Sequence, residues 1–248
     1  MSPSIQNRLQ EDLLQAGVSP SYATQALLQN LSEARARARG LARAFVTVAY
    51  AQSLDGSITV ARGQRYALSG PESMQFAHTL RAVHDGILVG VGTVLADDPE
   101  LTVRLVEGPD PQRIVVDSRL RTPAHSKLLA GPGRRPVWVA TASSGRGAND
   151  VDGGDDVDIS DDARRGRTTF LESRGARIVD CPARPNGWVD LGALLRQLAA
   201  DGIEHVMVEG GSRIITSLIE AQQVDYLIVT VVPQLLGGLP AFAPLARP

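Results

Sequence analysis

The chain predicts an α/β domain with a mostly parallel central sheet flanked by helices. Three observations predict it: short apolar runs rich in Val and Ile, helical segments between several of them, and turn residues at most run ends. Strands buried on both faces read as continuous apolar runs, and parallel neighbours need crossover segments that helices supply.

Residues 1–43 read as a helical amino-terminal extension. Leu13, Leu14 and Ala16, then Ala26, Leu27, Leu28 and Leu31, recur at helical spacing, with Ser19 and Pro20 placed as cap and first-turn residue between two short helices. The run SEARARARG spreads Arg35, Arg37 and Arg39 around a helix surface, which reads as a solvated helix end in preference to a nucleic-acid stripe.

Residues 44–248 carry the alternating pattern. FVTVAYAQ is a strand that ends in the tight-turn sequence SLDG, and Pro71 to Val83 is a helix that Ser69 and Pro71 begin. GILVGVG is a buried strand, and TVLADDPELTVR is a polar loop in which Asp98 before Pro99 forms a turn. RIVVDS and PVWVAT are strands. The stretch from Ser143 to Arg167 is Gly- and Asp-rich without apolar periodicity and reads as a flexible surface insertion; Asp155, Asp156 and Asp158 lack the Gly and Glu of a calcium loop. A helix from Asp162 to Arg174, the strand ARIVDC, a helix over Asp190 to Ala200 capped by Asp190 and stopped by Gly202, the strand HVMVEGG, a helix over Ser212 to Ala221 and the strand YLIVTVV complete the order.

Composition excludes several functions. The 248 residues are 43% hydrophobic and carry a net charge of −2, from 25 Lys plus Arg against 27 Asp plus Glu, so no global basic field exists to hold nucleic acid or an anionic membrane. Cys181, the single cysteine, rules out an internal disulfide and a cysteine-rich zinc site, and reads as an inert strand-end thiol. The longest apolar stretch, GILVGVGTVLA, is too short to span a bilayer, and no leader sequence is evident, so a cytoplasmic setting is expected. Neither G-x-G-x-x-G, a phosphate-loop GK[ST], G-x-S-x-G nor H-E-x-x-H occurs, and His78, His84, His125 and His205 stand in no metal or nucleophile spacing. No metal is expected, and proton chemistry falls to carboxylates.

Five blocks in order, VTVAYAQSLDGSI, LRAVHDGILVGVGTVLADDPELTVR, IVVDSRLRTP, VMVEGG and VDYLIVTVVPQLLGG, resemble the reductase domain of riboflavin biosynthesis over residues 44–239. That resemblance implies a dihydrofolate reductase-like fold, a homodimer, and NADPH-dependent reduction of a phosphoribosylaminopyrimidine. The ribose ring opens to a Schiff base, and hydride reaches the former anomeric carbon to leave a ribityl chain. The HxE and PCxxC motifs of the deaminase domain are absent, which implies a stand-alone reductase.

The resemblance also implies residue roles. Ala51 and Ile58 contact the nicotinamide on either side of Asp55–Gly56, a pair that reads equally as an ordinary tight turn. Thr93, Asp97 and Ser118 contact the cofactor, as do Gly210, Gly211, Ser212, Arg213 and Ile214 in a segment reaching Ser217. Two glycines allow close backbone approach, and the following helix offers free amides to a pyrophosphate. Arg81, Leu101, Arg104 and Glu209 contact the substrate, and Asp97 and Glu209 are the candidates for proton handling. Arg119 and Arg121, read from the sequence alone, suit the extra phosphate of NADPH or stand as ordinary strand-end charges.

Two departures qualify the match. Ala49 stands where many such reductases have a lysine or polar residue, and Arg65 and Ala67 replace a frequent Ser and Trp, which leaves the pyrimidine's ring substituent open. The family also continues into two further strands after LLGG, whereas this sequence ends at Pro248, an expectation of an open sheet edge for a partner to cover. Two alternatives therefore accompany the main reading: another NADPH-dependent reductase of this fold with a pteridine-type substrate, or a catalytically weak homologue serving as a binding or assembly subunit.

Overall fold

A computed structural model describes residues 22–64, 66–129, 135–143 and 160–243. The described elements are α1 (Tyr22–Arg37), β1 (Phe45–Ser53), β2 (Ser57–Thr59), α2 (Pro71–Ala82), β3 (Gly86–Gly90), α3 (Val91–Asp97), β4 (Gln112–Val116), β5 (Val137–Ala142), α4 (Asp161–Ser173), β6 (Ala176–Cys181), α5 (Leu191–Ala200), β7 (His205–Val208), α6 (Ser212–Glu220), β8 (Tyr226–Val232) and β9 (Leu239–Pro240). Seven strands form one sheet in the order β6-β5-β4-β3-β7-β1-β8. All of its pairings are parallel, as the apolar runs and helical crossovers predict.

The two-residue period of the strands sorts their side chains between two cores. Val46, Val48, Leu88, Val206 and Val208 face Leu194, Leu195 and Leu198 of α5 and Ile215 and Leu218 of α6. The intervening residues point the other way: Ile87, Val89 and Val115 meet Val91 and Val94 of α3 and Leu171 of α4. Farther along the same face, Phe45, Ala49, Met207 and Ile228 meet Leu31 of α1 and Leu80 of α2.

Three local readings change. GILVGVG is not strand throughout: β3 ends at Gly90, and what reads as polar loop begins with α3, whose Val91 and Val94 are buried. The helix stops at Asp98, in the left-handed region at φ 42°, where its carboxylate accepts bonds from Ser126 Oγ and the Lys127 amide, both 2.9 Å. The predicted insertion also ends sooner, because Ser160 caps α4 by accepting from the Ala163 amide at 3.3 Å; residues 144–159 lie outside the described residues.

Arg35 is the third change. Its guanidinium is not solvated but packs against the β3 end of the domain, Nη1 donating to the Val83 carbonyl at 3.0 Å, while Nε and Nη2 are buried without hydrogen-bond partners. Burial pushes its pKa down to about 10, against the opposing pull of Asp85. The helix over Ala26 to Leu31 forms as expected, whereas Leu13, Leu14, Ala16, Ser19 and Pro20 lie outside the described residues.

A separate two-stranded pairing adds a feature without a strong sequence signal. β2 and β9 pair antiparallel, and Asp55 ties the β1–β2 turn to the segment before β9. Its carboxylate accepts from Ser53 Oγ (2.6 Å), Ser57 Oγ (2.8 Å), the Leu236 amide (2.9 Å) and the Gly237 amide (2.7 Å). Those donors, the Ser53 hydroxyl foremost, hold it well below the usual carboxylate range. β8 lies at one edge of the seven-stranded sheet, with Leu227 and Val231 about half exposed. No helix among the described residues is long and apolar enough to cross a membrane.

Candidate active site

The carboxyl ends of β4, β3, β7 and β1, which are neighbours in the sheet, open into one cavity of about 730 Å³. Ligands of open α/β sheets bind in this crevice because the strand-to-helix turns there present backbone amides and polar side chains. Ala51 ends the β1 wall, Gly90 and Thr93 follow β3, Ser118 follows β4, and Glu209, Gly210 and Gly211 follow β7. The cavity thus unites Ala51, Ile58, Arg81, Thr93, Asp97, Ser118, Glu209, Gly210, Gly211, Ser212, Arg213 and Ile214, which the sequence scatters over more than half its length.

Leu101 and Arg104 are not among the residues that line it. Leu101 is 2% exposed and packs into the core beside Val115 and Leu120, with its backbone in the left-handed region at φ 53°. Arg104 donates from Nη1 to Thr102 Oγ1 at 2.8 Å and stands 3.5 Å from Glu100, while its amide donates to His78 Nδ1 at 2.9 Å. Both follow α3, whose end redirects the chain away from the opening.

Arg81 does not present a free guanidinium to the cavity. Nε donates to Glu209 Oε1 and Nη2 to Glu209 Oε2, each at 2.6 Å, and Nη1 donates to the Thr102 carbonyl at 3.0 Å. A bidentate pair of this kind fixes both planes. His78, fully buried, lies 3.5 Å from Arg81 Nη1, and burial together with the guanidiniums of Arg81 and Arg104 pushes its pKa down to about 4. A neutral imidazole there avoids a third positive charge beneath the site.

The turn from β7 to α6 has the geometry its two glycines suggest. Gly210 and Gly211 have φ of 82° and 89°, a region L side chains rarely enter. A Cβ on Gly211 would stand 3.5 Å from Thr93 Oγ1, and one on Gly90 only 3.0 Å from Ile214 Cγ1, so the α6 start sits directly against the β3 end. The first amides of α6, a nine-residue helix, and its positive dipole end therefore border the cavity. Asp117, wholly buried at the β4 end, accepts from the Thr122 amide (2.6 Å) and Thr122 Oγ1 (2.7 Å) through Oδ2, while Oδ1 has no hydrogen-bond partner. A cradle of amides with a buried acceptor still to be satisfied suits a nucleotide diphosphate with donor groups on its sugar or base.

Trp188 and Arg184 also line the cavity, and no motif points to them. They lie on the loop between β6 and α5, which the Ser118 hydroxyl pins by accepting from the Val189 amide at 3.0 Å. The only sequence signal is a Trp beside an Asn-Gly turn, which any surface loop can show. Asp55, by contrast, is spent on holding the β2–β9 region together, and Cys181 is buried with its thiol pushed up to about 11 by burial. Among the described residues no group of three His, Cys, Asp or Glu side chains could hold a metal ion.

Comparison with known proteins agrees with this architecture. The chain is 36% identical over 199 residues to the 2,5-diamino-6-ribosylamino-4(3H)-pyrimidinone 5′-phosphate reductase of Methanothermobacter thermautotrophicus, covering 79% of this chain and 81% of that protein. Among solved structures it is similar to the riboflavin biosynthesis reductase Rib7 of Saccharomyces cerevisiae, at 29% identity and a TM-score of 0.60, over 84% of this chain and 82% of that one. RibD of Acinetobacter baumannii shares the fold at 23% identity and a TM-score of 0.66, over 90% of this chain but only 56% of that one. The fold shared with them is the dihydrofolate reductase-like one the sequence blocks imply. Residues 44–245, the whole of the sheet and its cavity, match the family model described as the RibD C-terminal domain, and the chain belongs to that family.

Proposed function

We propose that this chain is an NADPH-dependent oxidoreductase of riboflavin biosynthesis that reduces the ribose of a phosphoribosylaminopyrimidine to a ribityl chain. The observation that carries this reading is the single cavity joining the Gly210–Gly211 cradle, the paired Arg81–Glu209 and the β4-end segment Ser118–Arg121. The names of relatives more than 30% identical over most of the chain support the same substrate class.

Each group has a task in that reaction. When bound, the dinucleotide supplies a hydride to the former anomeric carbon. The amides at the start of α6 hold its pyrophosphate, and Ala51 and Ile58 give the nicotinamide an apolar wall that keeps water from the transfer path. Both oxygens of Glu209 already accept from Arg81, which suits this carboxylate to receiving hydrogen bonds from the opened sugar. Asp97 is then the group that supplies the proton taken up at the imine nitrogen. Arg119 and Arg121 after β4, Arg184 after β6 and Arg213 in the first turn of α6 neutralise the phosphate that separates NADPH from NADH. A soluble homodimer in the cytoplasm is the setting this reading carries with it.

The test is direct. Purified protein is mixed with NADPH or NADH and 2,5-diamino-6-ribosylamino-4(3H)-pyrimidinone 5′-phosphate, and dihydrofolate serves as the competing substrate. Loss of reduced-nicotinamide absorbance with a product heavier by two hydrogens supports the proposal. Turnover of dihydrofolate alone assigns the pteridine reading, and no saturable cofactor binding removes the enzyme readings.

A further inference from the structure

Trp188 holds a position that the reaction itself does not explain. The guanidinium carbon of Arg213 lies 5.3 Å from the centre of its ring and over its face, and both residues line the cavity. The loop that carries Trp188 is pinned at several points. Ala183 and Val189 form an antiparallel bridge, the Arg184 amide donates to the Trp188 carbonyl at 2.7 Å, and the Trp188 amide donates to Asn186 Oδ1 at 3.2 Å. At its far end the Val189 amide donates to Ser118 Oγ, so the loop is fixed to the strand end that begins the Ser118–Arg121 segment. A half-buried aromatic ring on so tightly braced a loop is not there for core packing alone, since none of the buried cores includes it.

We infer that Trp188 is a positioning residue for nucleotide selectivity: its ring holds Arg213 at the adenosine end of the cavity, where the guanidinium reads a phosphate on the ribose. This rests on the reading of the cavity as a nicotinamide nucleotide site. The argument is geometric and electrostatic. Arg213 is the second residue of α6, so its backbone belongs to the diphosphate cradle, but the ring draws its side chain toward the loop after β6, away from the β1 side where Ala51 and Ile58 stand. A long arginine left to itself samples many rotamers, whereas a cation over an aromatic face is held by the ring quadrupole and loses less freedom when it meets a phosphate. The same ring face keeps bulk water from one side of the guanidinium, which strengthens its pairing with an anion. In a chain whose net charge is −2, local placement of this kind is what must supply anion selectivity.

The experiment measures dissociation constants for NADPH, NADH, adenosine 2′,5′-bisphosphate and AMP by calorimetry in the full chain and in Trp188→Phe, Trp188→Leu, Arg213→Met and Trp188→Leu/Arg213→Met. Trp188→Leu keeps apolar bulk without the quadrupole and is expected to cut the preference for NADPH over NADH about five- to tenfold, with Trp188→Phe retaining most of it. The bisphosphate and AMP should show the same ratio, since they isolate the ribose phosphate. The double variant should be no worse than Arg213→Met alone, because the ring acts through the guanidinium. An unchanged ratio in Trp188→Leu, an unchanged ratio in Arg213→Met, or additive losses in the double variant each overturns the inference while leaving NADPH binding by the parent chain, and hence the reductase reading, intact. Absence of any nicotinamide nucleotide binding by the parent chain overturns both.

Discussion

The guanidinium of Arg81 and the carboxylate of Glu209, 128 residues apart in sequence, form a two-armed pair with both arms at 2.6 Å. α2 presents the cation and the end of β7 presents the anion, so the pair clasps a helix to the sheet at the mouth of the cavity. Their side chains are only 10% and 17% exposed. Arg81→Leu leaves a charge and the Thr102 carbonyl without their donor, and is expected to destabilise the fold by about 3 kcal/mol, as read by urea unfolding. Arg81→Lys retains the charge but cannot supply both arms. It should lower kcat about tenfold while changing substrate KM less, in steady-state assays.

Carboxylate roles separate by amide substitution. Glu209→Gln and Asp97→Asn are each expected to reduce turnover about 100-fold or more, measured on variants whose circular dichroism matches the parent. Unchanged turnover in both removes the two residues from the chemistry.

Acid sensitivity follows from two buried imidazoles. His78 is held neutral, its pKa pushed from 6.5 down to about 4 by burial, Arg81 and Arg104. His84, whose ring nitrogens meet the Leu80 carbonyl at 2.6 Å and Thr47 Oγ1 at 2.9 Å, is likewise pushed well below its ordinary value by burial. Because the folded pKa values lie below the unfolded ones, the unfolded chain binds more protons at acid pH. The contribution to stability is fully present above pH 6.5 and is lost as pH falls toward about 4. Melting temperatures should therefore decline over that window, and His84→Gln should flatten the decline. A melting temperature constant across it contradicts the assignment.

The β7–α6 turn is sensitive to a single methyl group. Gly211→Ala forces an L side chain to φ 89° and is expected to cost about 1 to 2 kcal/mol in chemical denaturation while weakening NADPH binding in titration. Gly238→Ala is a separate case, since its Cβ would fall 2.0 Å from the Thr59 carbonyl oxygen. It should disrupt the β2–β9 pairing, increase proteolytic cleavage there and, because Ile58 of β2 and Leu239 of β9 border the cavity, weaken nucleotide binding in titration.

Arg35 yields a prediction of opposite sign. With one carbonyl partner and two buried nitrogens unpartnered, Arg35→Met exchanges a poorly solvated cation for a side chain suited to its neighbours. Stability in urea should be unchanged or higher by about 1 kcal/mol. A loss of several kcal/mol would show that the cation is required.

Local patterning was enough for most of the frame. Each main-sheet strand appears as a Val- and Ile-rich run, and the α5 start at Asp190 and its stop before Gly202 fall where the residues place them, because hydrophobic period and cap chemistry act within one turn of chain. α3 escaped because GVGTVLAD is continuous in apolarity with the strand before it, and period cannot divide such a run. The fate of each arginine escaped for another reason. Arg35, Arg81, Arg104 and Arg213 look alike in sequence, yet one is buried, one is paired to Glu209, one stands off the cavity, and one lies over Trp188.

By itself, then, the sequence determined the class of fold, the order of the seven main-sheet strands and the family blocks that mark a reductase, since these follow from short-range periodicity and ordered motifs. Only the tertiary structure decided which charges meet and which residues share the cavity. A guanidinium's role depends on the acceptor that comes within 3 Å or so of it, and that acceptor is chosen by strand order across the sheet, over separations no local pattern encodes.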